Sequence, residues 1–236
     1  MATISPRLKL CTEMIFKKQQ PKIFCISIQR TGTTSVGQFF KDHKYSVAGY
    51  EKHRSLKWSS LWLSGNFEAI FKSKDFKKHQ VFEDSPWWSP GFYKILFHRF
   101  PNAKFILFTR NSDKWFDSMV SHSKGKTLGN TYRHSRIYRR EWEFDKLYPH
   151  SHDFNFNEID NLLELNEAHR EHYKSIYEIW NRDTKLFFEQ FGPDRIISLE
   201  LEDPLKWQKL GVFFGINVQD GYEVHSNKSK KHEHHQ

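Results

Sequence analysis

Cysteine is scarce in this chain of 236 residues: Cys11 and Cys25 are its two. Two thiols make no disulfide framework, so stability must come from a packed core. Cys25 lies inside an apolar run and is expected as a buried thiol. Long hydrophobic stretches are missing as well. The best run, Ile23 to Ile28, is strand-sized, far short of the eighteen or so residues of a membrane span. The first twenty residues mix Arg7, Lys9, Lys17 and Lys18 with a short apolar patch. They lack the apolar core and small-residue cleavage site of a secretory signal, so a cytoplasmic location is expected. Acidic residues are outnumbered, 28 against 37 basic ones, for a formal net charge of +9. That balance favours anionic partners such as nucleic acid, acidic lipid, a polyanionic sugar or a phosphate-rich cofactor, without choosing among them.

Aromatics are plentiful: 17% of residues, with 22 Phe and 8 Trp. Disordered chains are poor in such residues, and the length suits one α/β domain with a sizeable core. The expected organisation is a loosely ordered lead-in over residues 1–20, one domain over 21–224, and a basic, histidine-rich tail over 225–236. His232, His234 and His235 in that tail could hold a metal loosely, but a terminal low-complexity stretch reads as solvated chain.

Five strands are predicted, over Lys22–Ile28, Tyr45–Tyr50, Gln80–Glu83, Ala103–Thr109 and Arg195–Leu201. Between them lie helical patterns. Val36, Phe39 and Phe40 form one apolar stripe after Thr33; Phe116, Met119 and Val120 form another. A long helical segment, one helix or two, runs from about Asn157 to Phe191, stopped by Gly192-Pro193, and a closing helix covers Pro204–Phe214. Residues 51–78 carry some helix, and residues 121–155, rich in Arg, His and Tyr, read as surface loops. Strands alternating with helices imply an α/β fold with a mostly parallel sheet covered on both faces. In such sheets ligands bind beyond the carboxyl ends of the strands.

Three polar clusters fall at those ends. After the first strand comes Gln29-Arg30-Thr31-Gly32-Thr33-Thr34-Ser35. A small-residue turn opening a helix presents backbone N–H groups and a positive dipole end to an anion; the hydroxyls add donors and Arg30 a permanent charge. The GxxxxGK[ST] pattern is absent, so this is no Walker A loop, and a plain Ser/Thr helix cap is the alternative. After the fourth strand stands Arg110, with Ser118 eight residues on. Together they could grip a second phosphate; a surface salt bridge and a solvated serine are the alternative. Ending the third strand, Glu83-Asp84 could supply a general base, or simply begin the Asp-Ser-Pro turn. Two anion sites and a base at one sheet edge suit a cofactor with two separated phosphate groups.

These residues resemble those of the sulfotransferases that use 3′-phosphoadenosine 5′-phosphosulfate (PAPS). Arg30 to Ser35 is similar to the 5′-phosphosulfate loop of many small members, Arg110 and Ser118 match the 3′-phosphate pair at its usual spacing, and Glu83-Asp84-Ser85-Pro86 is similar to their acid-x-Pro strand end. Pro193 to Ile197, Glu200, Trp207 to Leu210 and Phe213 to Gly215 resemble the family's C-terminal block. The resemblance runs from about Lys22 to Gly215. It implies a three-layer, P-loop-NTPase-like fold and transfer of a sulfuryl group from PAPS to a hydroxyl or amine, leaving PAP, with no metal. It further implies that Arg30, Thr31, Gly32, Thr33, Thr34, Ser35, Arg110 and Ser118 bind the donor, that Arg30 stabilises the leaving phosphate, and that Asp84 or Glu83 is the base, Asp84 preferred because it immediately precedes x-Pro. Strand alternation should point one of the two acids into the site. The acceptor would be a small molecule or a glycan, and neither nucleic acid nor a membrane span is expected.

The chain also departs from the family pattern. Arg30 stands where many members carry Lys, and the Arg-Lys-Gly motif that completes the 3′-phosphate site in animal members is missing, with Lys228, Lys230 and Lys231 as candidate substitutes. The histidine base of many small-molecule members has His53 as its nearest candidate. Competing readings are a nucleotide phosphotransferase, which should show a Lys-[ST] pair after the glycine and a Mg²⁺-binding acid, a basic nucleic-acid-binding module, and a pseudoenzyme that binds PAP without transfer. The basic segment 121–140 could steer an anionic acceptor, or serve only as solvated surface.

Overall fold

Continuous apolar runs build the centre of this protein. The computed structural model describes residues 21–149 and 163–224. The lead-in over 1–20 and the tail over 225–236, with its lysines and histidines, lie outside the described residues, as does the predicted helical start at 157–162. Strand β1 is Ile23–Cys25, β2 Val47–Ala48, β3 Val81–Phe82, β4 Lys104–Thr109 and β5 Ile196–Glu200. Each core lies within a predicted strand. Every pairing is parallel, in the order β2-β3-β1-β4-β5, with Ile23 opposite both Val81 and Lys104, Val47 opposite Val81 and Phe105 opposite Ile196. The inner strands β1 and β3 and the middle of β4 are buried on both sides and read as apolar stretches, whereas the edge strand β5 leaves Ser198 and Glu200 exposed.

The pleat sorts the strand side chains into two cores. Phe24, Phe82, Phe105 and Leu107 face one side, with Trp58, Phe71, Phe76, Trp87, Phe92 and Phe188. Cys25, Val81, Ile106 and Phe108 face the other, with Val36, Phe39, Phe40, Trp207 and Leu210. The Cys25 thiol is fully buried, and desolvation pushes its pKa up to about 12. After β2 comes the short helix α2 Tyr50–Ser55; the first face is covered by α3 Trp58–Leu63, α4 Phe67–Lys72 and α5 Lys74–Lys78, together with α6 Phe92–Arg99. The second is covered by α1 Thr33–Asp42 and α11 Lys206–Phe214. The result is a three-layer α/β architecture. On α1 the buried stripe is Val36, Phe39 and Phe40, as predicted.

A third apolar cluster sits beyond the carboxyl ends of the strands. It joins Ile28 to helices α7 Ser112–Ser123, α8 Thr131–Ile137 and α10 Arg170–Phe191. Trp115 stacks on Tyr177 at 4.4 Å and Tyr138 on Tyr173 at 4.5 Å, each ring pair adding about 0.5–1.5 kcal/mol beyond area burial. This cluster corrects one expectation. The described part of 121–155 is not surface loop: it folds as α8 and as α9 Glu141–Leu147, with Thr131, His134, Ile137, Tyr138 and Arg140 buried. Arg140 is satisfied by Glu143, the Glu164 carbonyl and Tyr173 Oη. Of the expected helical segment, the described part begins at Leu163 and holds the helix Arg170–Phe191, after a 3₁₀ turn over Glu167–His169 whose box is closed by Asn166. Among the described residues no helix is long and apolar enough to cross a membrane.

Candidate functional site

Because all five strands are parallel, their carboxyl ends share one edge. β1 leads through α1 to β2 on one side, whereas β4 is followed by β5 on the other, so the order reverses between β1 and β4. Arg30 and Arg110 stand at those two strand ends, where a parallel sheet opens its crevice.

The turn after β1 is built for close approach. Arg30 and Gly32 both have left-handed backbone, φ 68° and 85°. The Thr31 hydroxyl folds back to donate to the Ile28 carbonyl, and Thr31 is buried. The φ of 85° at Gly32 favours glycine, and a Cβ there would lie 2.7 Å from Leu201 Cδ1 and push that side chain aside. The helix starts differ. Helices α4, α5, α7 and α8 are capped by the side chains of Asn66, Ser73, Asn111 and Asn130. Helix α1, like α3, α6 and α11, has no side-chain cap and no acid in its first turn; what sets it apart is its place after β1, beside Arg30. Its first N–H groups and positive dipole end therefore lie next to Thr33, Thr34 and Arg30 without a built-in counter-charge.

Two guanidinium groups converge here. Arg30 Nε donates to Ser118 Oγ at 3.1 Å. Arg110 Nη1 donates to the Arg30 carbonyl at 3.4 Å, and Arg110 Nε lies 3.4 Å from Glu202 Oε1. The Arg110 backbone is clamped: its N–H donates to Tyr177 Oη at 3.0 Å, and that hydroxyl donates back to the Arg110 carbonyl at 3.2 Å. Burial and the neighbouring Arg110 charge lower the Arg30 pKa from its ordinary value. The bond from Arg30 ties Ser118 of α7 to the turn after β1.

The acids occupy the other wall. Glu83 is 4% exposed and wedged between two glycines: a Cβ on Gly49 would lie 2.1 Å from its Oε1, and one on Gly37 2.8 Å from its Cγ. Burial, with the Asp84 charge beside it, raises the Glu83 pKa to about 8. Asp84 is less enclosed, its side chain 23% exposed, with φ 71°. Burial raises its pKa, but His53, the Ser85 N–H and the Arg133 charge outweigh that and hold it below the usual carboxylate range. The Ser85 N–H donates to Asp84 Oδ1 at 2.6 Å, and His53 Nε2 lies 3.7 Å from Oδ2. Both acids line one cleft of about 690 Å³ with Arg30, Thr33, Thr34, His53, His122 and Arg133. The alternation argument fails because β3 ends at Phe82 and the left-handed backbone at Asp84 turns the chain. Partial burial and the Arg30 charge lower the His122 pKa, leaving that ring neutral at pH 7. A second hollow, about 490 Å³, adjoins Arg110 and is lined by Thr109, Ser112, Tyr177, Asn181 and Lys185.

Four contributing residues were not singled out in the sequence. Arg133 donates from Nη1 to Ser59 Oγ and Ser85 Oγ, both at 2.9 Å, from a segment read as surface. Gly37 and Gly49 carry no local signal of their contact with Glu83. Glu202 could have been found, since it stands at the end of the fifth predicted strand, on the edge that singled out the other clusters. Chemically, the arrangement offers an uncapped helix start with two cations for anionic oxygens, and an ionised carboxylate in the same cleft to accept a proton.

A family model described as "Sulfotransferase domain" matches residues 22–232. Among curated proteins, none matches the chain. Among solved structures, it is similar to a sulfotransferase from Alicyclobacillus acidocaldarius, at 16% identity over 88% of this chain and 87% of that one, with a TM-score of 0.49.

Proposed function

Because the chain belongs to the sulfotransferase family, we propose that it moves a sulfuryl group from PAPS to a hydroxyl or amine of a small-molecule or glycan acceptor by in-line displacement. The observation that carries this reading is the placement of Arg30 and Arg110 at adjacent strand ends, beside a helix start left without cap or counter-charge. Residues 21–224 would form the catalytic unit.

PAPS, when bound, would supply an activated sulfuryl group on a phosphate leaving group. Arg30, Thr31, Gly32, Thr33, Thr34 and Ser35 would hold the 5′ end. There Arg30 and the first-turn N–H groups of α1 bear the negative charge that grows on the bridging oxygen, an oxyanion-type role. Arg110 and Ser118 would hold the 3′-phosphate and so separate PAPS from ordinary nucleotides. Ser118, bonded to Arg30 across the loop, would couple the two subsites. Asp84 suits the base: it is ionised at neutral pH, lines the cleft and is partly open to it. Glu83, with its pKa near 8, is mostly protonated at pH 7 and serves as a packed wall. Exclusion of bulk water by the cleft strengthens each of these charges.

Calorimetric titration of PAP, with ADP and ATP as controls, tests the reading on wild type and Arg110→Ala. Preference for PAP that the substitution removes supports it. Equal binding of PAP and ADP would reject it and bring a nucleotide phosphotransferase forward.

A further inference from the structure

We propose that Glu202 is the resident counter-ion of Arg110, which an incoming phosphate must displace, and that it thereby sets the affinity of this anion site; the identity of that phosphate as the donor's rests on the reading above.

The position of Glu202 is set by the backbone. The Leu201 N–H donates to the Thr109 carbonyl at 2.7 Å, continuing the β4–β5 ladder one residue past the strand, and the Asp203 N–H closes a turn on Glu200. Leu201 packs over Gly32, so residues 201 and 202 together touch both halves of the cradle. The pair is asymmetric. The Arg110 side chain is 19% exposed and tied through Nη1 to the Arg30 carbonyl, whereas the Glu202 side chain is 41% exposed and has open solvent to swing into. A guanidinium buried to this degree needs a partner, and Glu202 supplies one when no ligand is bound. A phosphate brings more charge and three acceptor oxygens to the same donors, so it wins the competition. Its approach also sets two negative groups against each other, which drives the carboxylate outward. Glu202 would therefore act against every anion at Arg110 and leave binding at the α1 start alone.

The test is calorimetry of PAP on wild type, Glu202→Gln, Arg110→Ala and the double variant, with melting temperatures to confirm folding. Glu202→Gln should bind PAP roughly two- to fivefold more tightly, the range of a partly exposed pair. The same change in the Arg110→Ala background should do nothing. Wild type that prefers PAP over ADP, with Glu202→Gln no tighter, overturns the counter-ion role and leaves the donor reading intact. Wild type that binds PAP and ADP alike removes the donor reading. In that case a tightening of inorganic phosphate binding by Glu202→Gln, dependent on Arg110, still upholds the counter-ion role, and its absence sinks both.

Discussion

The Nε of Arg30 donates to Ser118 Oγ at 3.1 Å, across the gap between the turn after β1 and the middle of α7. The bond holds the guanidinium by its Nε edge, and because the group is a rigid plane it also restricts where the Nη groups can point. Hydrogen bonds to a charged group contribute roughly 1.5–3 kcal/mol. Ser118→Ala is therefore expected to weaken PAP binding and to slow turnover by roughly ten- to hundredfold. Arg30→Ala should cost roughly 10²–10³ in kcat, as for loss of one oxyanion donor. Steady-state kinetics with PAPS and a screened acceptor check both. An Arg30→Ala enzyme as fast as wild type would overturn the mechanism.

Stability should depend on pH through Glu83. Its folded pKa, about 8, lies above the ordinary 4.5, so between these values the folded state holds a proton that the unfolded chain releases. Stability from this group is complete below the unfolded value and falls as pH rises through the folded one. The slope is at most about 1.4 kcal/mol per pH unit. Urea denaturation from pH 5 to 8 should show wild type losing stability relative to Glu83→Gln. Parallel curves for the two proteins would show that Glu83 ionises normally.

The same two acids predict different pH–rate profiles. With Asp84 as base, kcat/KM should be flat from neutral pH down to below the usual carboxylate range, because His53, Ser85 and Arg133 hold Asp84 ionised. A limb rising towards pH 8 would instead assign the base to Glu83. His53 supplies a further check. Both its ring nitrogens are buried without a hydrogen-bond partner, and Nε2 is 3.7 Å from Asp84. If Asp84 acts alone, His53→Ala should shift the acid limb upward and keep most activity. Activity lost equally in His53→Ala and Asp84→Asn would make the histidine the proton acceptor, oriented by the aspartate.

The inner strands were legible because a parallel sheet buries both their faces, so Ile23–Ile26 and Phe105–Phe108 are apolar throughout. The strand-end clusters were legible for a related reason: parallel strands bring every carboxyl end to one edge, so Arg30, Glu83 and Arg110 could be grouped before any contact was known. Contacts made across long separations were not legible. Arg133 looks like surface charge until the stack of Tyr138 on Tyr173 buries the segment around it. Glu202 reaches Arg110 from 92 positions away. The turn at Asp84, with its left-handed backbone, defeats the alternation that holds inside a strand.

Gly49 offers a sharp test of the wall around Glu83. Its backbone, φ −106° and ψ −161°, is extended and open to any residue, so an added methyl group brings no backbone strain. The cost is contact alone: a Cβ there would lie 2.1 Å from Glu83 Oε1. That carboxyl also packs close to Gly37, so it must shift to make room for the added methyl group. Gly49→Ala should therefore destabilise by about 1–3 kcal/mol, the range for overpacking. That corresponds to a loss of roughly 2–4 °C in Tm per kcal/mol for a chain of this size. Removing the obstruction should remove the penalty. In a Glu83→Ala background, Gly49→Ala should cost little, and the double-mutant cycle should show strong coupling. Denaturation at pH 6, where Glu83 is protonated in the folded state, keeps charge effects in that state out of the comparison. Additive effects would mean that the two positions do not meet and that the Glu83 carboxyl lies elsewhere in the folded protein.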